Sequence, residues 1–295
     1  MTAPLRGAIT ALVTPFTADG KLDEAALAAL VEWQIAEGIH GLVPVGSTGE
    51  AVTLSPTERE RVVRVVAAAA KGRVPVIAGA GSNDTAAAIE ASKQLGKAGA
   101  THLLHVSPMY NKPPQRGIVA HFKAVADASP LPIVLYNVPG RTGSNMTAET
   151  TLELAEHGNI CAVKEASGNT GQIDAILRGR PEGFAVLSGD DGLTLAVMAA
   201  GGDGVISVIS NAVPKLCAQL TDALAKSDLK TASLIHHRLA PLVDAAFIES
   251  NPIPMKAGLA MMGKCRNVLR LPLVPMDAKH EARMSAALRI AGVSL

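Results

Sequence analysis

Between Gly7 and Ala225, short apolar runs alternate eight times with helix-patterned stretches, and that rhythm restricts the fold more than any other feature of the chain. The first run is Gly7 to Val13, GAITALV, ended by Thr14 and Pro15; Asp23 then opens a stretch in which Leu27, Leu30, Val31 and Gln34 recur at helical spacing. Gly41 to Val45 is the second run, and the helix after it starts at Ser55, a good N-cap, with Glu58 three residues on to complete a capping box. Further strands are expected at Val74–Ala78, His102–Val106, Ile133–Tyr136, Ile160–Lys164, Ala185–Leu187 and Gly204–Val208. Their helices are expected at Asp84–Lys97, Gly117–Ala128, Ala148–Ala155, Thr170–Leu177, Gly192–Ala200 and Pro214–Ala225. Eight strand-helix units predict an α/β fold, a (β/α)8 TIM barrel over residues 1–225. An open doubly wound sheet ranks lower, because the count reaches eight and no GxGxxG follows the first strand. Beyond Ala225 the strands stop, and Leu229–Phe247, Pro252–Met262 and Ala278–Ile290 read as three helices of a C-terminal region, residues 226–295.

Composition removes several function classes. The 27 basic and 26 acidic residues nearly cancel to +1, with no long run of either sign, so no nucleic-acid or membrane surface is expected. Cys161, Cys217 and Cys265 lack CxxC or Cys/His spacing, which gives no metal signal and fits a reduced, cytoplasmic protein. The start, MTAPLRGAITALV, lacks the basic-then-apolar order of a secretory signal, and charges, Gly or Pro interrupt every apolar run before it reaches a membrane span.

In a barrel of this kind catalytic groups project from the strand ends and the loops that follow them. The informative residues fall at four such points: GSTGE at Gly46–Glu50, SPMYNKPP after the fourth strand, YNVPGRTG after the fifth, and Lys164 ending the sixth. A lysine at a strand end loses water around its ammonium, which disfavours the charged form and leaves an amine able to form a Schiff base with a carbonyl. Taken alone, such a lysine is more often ion-paired and structural. The chain has only two tyrosines, Tyr110 and Tyr136, and both lie in these loops, so their hydroxyls read as functional; the ordinary alternative is a buried ring with its OH tied to backbone. Ser47 and Thr48 could hold a small carboxylate or merely stabilise their turn. Arg141 is the one strong anion clamp among these loops, its alternative being a surface ion pair. Glu50 and Glu165 read as structural acceptors, and a phosphate loop is excluded for want of a GK[ST] ending.

GSTGE, YNVPGRTG, VKEASG, SGDD at Ser188–Asp191, GVISV at Gly204–Val208 and NPIPMK at Asn251–Lys256 together resemble, in order and spacing, the dihydrodipicolinate synthase and N-acetylneuraminate lyase superfamily. The likeness runs from about Gly7 to Pro275. It implies a TIM barrel with a C-terminal helical region, no cofactor and no metal. Lys164 would form an imine with pyruvate, and Tyr136 would relay protons. In the synthase branch Ser47 would link Tyr136 to Tyr110, the latter donated across a subunit interface. Ser47 and Thr48 would hold the pyruvate carboxylate, while backbone at Gly189 and Ile206 would line the pocket.

Within the superfamily Arg141 matches the synthase branch, in which that arginine binds the carboxylate of aspartate semialdehyde; Ser47, where most synthases have threonine, is the lyase-like choice. The arginine decides the expectation: condensation of pyruvate with L-aspartate 4-semialdehyde to 4-hydroxy-tetrahydrodipicolinate, a step toward lysine, in a homotetramer built as a dimer of dimers. The alternatives are another Schiff-base aldolase or dehydratase acting on a sugar acid or hydroxyproline-derived substrate, and a catalytically silent barrel that senses keto acids. The resemblance also places Ala51, Val52, Pro56, Arg59, Asn83, Ala87 and Met109 where lysine-inhibited synthases bind their effector. Only Asn83 keeps a polar group of the expected kind, so weak or absent inhibition by lysine is expected.

Overall fold

The computed structural model describes residues 4–295. The secretory-leader reading rests partly on the first three residues, which lie outside the described ones. Among the described residues eight strands follow one another: β1 Gly7–Ala11, β2 Gly41–Val43, β3 Ile77–Gly79, β4 His102–Val106, β5 Ile133–Asn137, β6 Ile160–Glu165, β7 Ala185–Ser188 and β8 Gly204–Ser207. Seven adjacent pairs are parallel, in the order β2-β1-β8-β7-β6-β5-β4-β3. The two end strands meet as well. Leu42 and Val76 form a parallel bridge, the Leu42 N–H donates to the Pro75 carbonyl at 3.0 Å, and the Gly79 N–H donates to the Pro44 carbonyl at 3.1 Å. The sheet is therefore a barrel, as the alternation predicts, and the open-sheet alternative falls.

The helices between strands are α1 Glu24–Ala36, α2 Pro56–Ala70, α3 Thr85–Lys97, α4 Gln115–Ala128, α5 Pro139–Thr142, α6 Ala148–Ala155, α7 Thr170–Gly179, α8 Thr194–Ala199 and α9 Pro214–Ala225. Their starts follow the capping chemistry: Asp23 accepts the Ala26 N–H at 3.0 Å, and Ser55 and Glu58 complete the reciprocal box at 3.2 and 2.9 Å. Leu27, Leu30, Val31 and Gln34 form the buried face of α1. Alternation along each strand sorts side chains into two layers. Ile9, Val43, Ile77, Leu104, Val134, Ala162, Leu187 and Ile206 fill the barrel interior. Leu103, Leu135, Val163, Val186 and Val205 face outward onto Val63, Ile118, Phe122, Leu154 and Ile176 of the helices.

Several boundaries differ from the sequence expectation. The second strand stops at Val43 rather than Val45, because Pro44 has no N–H to give and Val45 takes a left-handed φ of 50°. The third begins at Ile77 rather than Val74, with Val74 and Pro75 outside the ladder. The fourth helix starts at Gln115, two residues before the expected Gly117, directly after Pro113 and Pro114. The stretches opening at Gly192 and Ala278 begin instead as single 3-10 turns, Asp191–Leu193 and Ala278–His280. Within the expected loop YNVPGRTG, Pro139–Thr142 forms the short α5.

The C-terminal residues form α10 Leu229–Ala246, α11 Ile253–Met261 and α12 Glu281–Ile290. Every residue of α11 from Ile253 to Leu259 is buried, Lys256 included. This region is thus packed on the barrel rather than hung from it. No helix among the described residues is long and apolar enough to cross a membrane.

Candidate active site

The carboxyl ends of β5 and β6 place Tyr136 directly opposite Lys164 in the ladder. Both side chains are buried, 7% and 5% exposed, and the Lys164 ammonium lies 4.2 Å from the centroid of the Tyr136 ring. β6 runs one residue further than expected, so Glu165 pairs with Asn137 behind this inner pair. Around Lys164 opens a cavity of about 290 Å³, with Ser47, Thr48, Arg141 and Gly189 in its wall. The loops after β2, β5, β6 and β7 thus converge, and a carbonyl compound bound there meets an amine, a phenol, two hydroxyls and a guanidinium together.

Local chemistry explains each placement. After β2, Gly79 approaches so closely that a Cβ there would stand 2.2 Å from the Val45 carbonyl oxygen. That space lets Val45 turn left-handed and brings GSTGE over the barrel mouth. Glu50, the last residue of that motif, points down to Lys256, with Oε1 2.5 Å from the ammonium, and its Oε2 accepts the Arg270 N–H at 3.1 Å. Burial pushes the Lys256 ammonium down from its ordinary value, while Glu50 beside it opposes the shift. Arg270 also grips Glu58, whose carboxyl it holds down at about 2.

After β7, the Gly189 N–H donates to the Glu165 carbonyl at 2.7 Å, and a Cβ at Gly189 would meet Ala166 Cβ at 2.6 Å and Lys164 Cε at 3.1 Å. Asp191 in the same loop is buried and accepts the Val208 and Ile209 N–H groups at 2.8 and 3.2 Å, tying the β7 and β8 ends together. Burial raises its carboxyl from the ordinary range. Glu50 and Glu165 are both buried acceptors, as read from sequence.

The structure adds detail at three of the expected site residues. Ile206, expected to offer its backbone, has its side chain buried in the barrel interior, while Val208, two residues on, lines the cavity. The reason is depth: Ile206 lies within β8, in the packed inner layer, whereas Val208 lies just beyond the strand's carboxyl end. Tyr110 is 88% exposed and held at φ 72°, with its N–H on the Thr142 carbonyl at 3.2 Å, so it faces away from its own cavity and is no buried ring. Ser47 reaches the cavity wall, but among the described residues no hydrogen bond links it to Tyr136 or Tyr110.

One participant escaped the sequence reading. Asn251, from the segment before α11, lines the cavity, donates through Nδ2 to the Thr48 hydroxyl at 2.9 Å, and offers its main-chain oxygen to Arg141 Nη2 at 3.1 Å. Its buried Oδ1 has no partner among the described residues. NPIPMK could have flagged it as a polar residue before a proline-opened helix, but nothing in its spacing ties it to Thr48. No cluster of three His, Cys, Asp or Glu that could hold a metal occurs among the described residues.

A model of the Dihydrodipicolinate synthetase family matches residues 4–291. The chain belongs to this family. Among its relatives, the 4-hydroxy-tetrahydrodipicolinate synthase of Chloroherpeton thalassium is 50% identical over 285 residues, 96% of this chain and 94% of that protein. The protein of the same name from Maridesulfovibrio salexigens is 48% identical over 289 residues, covering 98% and 99%. The crystal structure of the chloride-inhibited dihydrodipicolinate synthase from Acinetobacter baumannii, complexed with pyruvate, is 41% identical and superposes with a TM-score of 0.96 over 98% of this chain and 99% of that one. Dihydrodipicolinate synthetase family members thus share the whole barrel and C-terminal region with this chain, including the segments that deliver Lys164, Tyr136, Arg141 and Asn251.

Proposed function

We propose that the protein is a Schiff-base lyase that condenses pyruvate with L-aspartate 4-semialdehyde to 4-hydroxy-tetrahydrodipicolinate, on the path to lysine. The observation that carries this is the buried amine of Lys164 held 4.2 Å from the Tyr136 ring, at the floor of a cavity whose wall also holds Arg141. Lys164 attacks C2 of pyruvate and, with loss of water, forms the imine; Tyr136 delivers and removes the protons these steps need. The Thr48 hydroxyl, oriented by Asn251, and Ser47 receive the pyruvate carboxylate. Loss of a methyl proton converts the imine to an enamine, which adds to the aldehyde carbon of the second substrate. That substrate's own amine then displaces Lys164 and closes the ring, so lysine leaves as the free amine and no cofactor enters the balance.

Arg141, held against the Asn251 main-chain oxygen, binds the semialdehyde carboxylate. The names of the relatives and the pyruvate complex of the Acinetobacter baumannii protein support the same substrates. Gly189 contributes backbone and the room Lys164 needs, whereas Ile206 acts by packing beneath the site. Residues 1–225 are proposed as the barrel carrying the site, and 226–295 as a helical region that completes its wall through Asn251.

Tyr110 joins the relay through Ser47 from a neighbouring subunit. Its 88% exposure supports that role, as does the lack of a path to its own cavity; the role needs at least a dimer, and a homotetramer of two tight dimers in the cytoplasm is the assembly proposed. Borohydride reduction in the presence of pyruvate, read by mass spectrometry, tests the chemistry: a pyruvyl adduct on Lys164 is expected, and its absence overturns the reading. Pyruvate-dependent consumption of aspartate semialdehyde, compared with cleavage of 2-keto-3-deoxy sugar acids, tests the substrate. Arg141→Ala should cost about 1.5–3 kcal/mol in kcat/KM for the semialdehyde while leaving imine formation intact.

A further inference from the structure

The pairing of β5 with β6 is interrupted below the site. Ile133 stands opposite Ile160 but Val134 stands opposite Ala162, so β6 carries one extra residue, Cys161. The Cys161 thiol turns to the Ile133 carbonyl at 3.4 Å, and burial pushes it up to about 12, which leaves it unreactive. Bulges of this kind re-aim side chains, because a shift of one residue sends every following side chain to the opposite face of a strand. The ladder before the bulge therefore does not dictate which residue of β6 meets Tyr136.

Above the bulge the ladder holds four pairs: Val134 with Ala162, Leu135 with Val163, Tyr136 with Lys164, and Asn137 with Glu165. The last is locked by side chains. Asn137 Nδ2 donates to Glu165 Oε2 at 3.0 Å and Oε1 at 3.3 Å, and Asn137 Oδ1 accepts the Met146 N–H at 3.0 Å. Glu165 also accepts the Ser167 N–H at 2.7 Å and Gln172 Nε2 at 3.1 Å. Both residues are fully buried. In a register slipped by one residue, the buried carboxylate would lose the Asn137 donor and the buried amide its acceptor, which disfavours the slipped pairing.

We propose that Asn137 and Glu165 are positioning residues: from the outer face of the sheet they fix the register across the bulge and so hold Lys164 opposite Tyr136 on the inner face. This rests on Lys164 being the imine-forming amine.

The test measures how fast the borohydride-trapped pyruvate adduct accumulates on Lys164, per site that can be trapped at saturation, in the full-length chain. Absence of the adduct in the unaltered protein would overturn the proposed function and not this inference. Asn137→Ala, the milder Asn137→Ser, and Glu165→Gln are each expected to slow the per-site rate and lower kcat/KM for pyruvate by about tenfold or more, with KM for the semialdehyde unchanged. The double variant should be no slower than the slower single one, because the two residues act as a unit. Gln115→Leu, which breaks the neighbouring bonds to Asn145, Thr147 and Thr150, should lower stability and leave the per-site rate intact. Single variants within about twofold of the unaltered per-site rate, or losses that multiply in the double variant, would overturn the proposal.

Discussion

The Lys256 ammonium lies 2.5 Å from Glu50 Oε1 with both side chains wholly buried, and it also donates to the Val268 carbonyl at 2.8 Å and sits 4.0 Å from the Phe16 ring centroid. This ion pair fastens the GSTGE loop to α11. Its loss leaves an uncompensated buried charge, so Lys256→Met should cost roughly 3–5 kcal/mol of stability. The double variant Glu50→Gln, Lys256→Met should cost less than the sum of the two single ones. Urea unfolding of all three variants measures both quantities, and strict additivity would show that the pair is not a unit.

Gly189 is predicted to tolerate no side chain. Its added Cβ would stand 2.6 Å from Ala166 Cβ and 3.2 Å from the Glu165 carbonyl oxygen, neither of which can retreat without moving the strand end, and it would press on Lys164 Cε at 3.1 Å. Gly189→Ala should lower kcat/KM for pyruvate by about a hundredfold, the scale expected of an ångström-sized displacement. Stopped-flow kinetics with the refolding-competent variant reads it.

Acid should destabilise the fold through the histidines packed between β4 and its helices. Burial lowers His102 and His121 from their ordinary value and pushes His105 down to about 3. A base depressed in the folded state binds fewer protons there than in the unfolded chain. Its stability contribution is therefore intact above about pH 6.5 and is lost as pH falls from there toward 3. For His105 alone the loss at pH 5 is about 2 kcal/mol. Urea midpoints at pH 7 and pH 5 should differ accordingly, and His105→Asn should flatten the difference.

Lysine should inhibit weakly or not at all. At the positions the resemblance assigns to an effector, Arg59 Nε donates to the Ala51 carbonyl at 2.9 Å and Asn83 Nδ2 donates to the Met109 carbonyl at 3.2 Å. Two acceptors are thereby occupied, a guanidinium stands close by, and Ala87 offers no carboxylate for an ammonium. An inhibition constant in the low micromolar range in a steady-state assay would contradict this.

Much of the protein is decided by local pattern. Eight apolar runs with turn and cap residues between them specify eight strand-helix units, and the end of the sixth run puts Lys164 at the mouth of any barrel those units close. Capping at Asp23 and Ser55 works within four residues, so it is visible before anything folds. The rest depends on residues far apart in the chain, whose contacts have no sequence period. Asn251 reaches Thr48 across 203 positions, and Arg270 reaches the Glu50 carboxylate across 220. The outward Tyr110, the inward packing of Ile206 and the bulge at Cys161 arise in the same way. Each is set by how neighbouring strands and loops share space, which only the closed barrel defines. The lysine was legible in the sequence; the register that gives it a phenol to work with is a property of the tertiary fold.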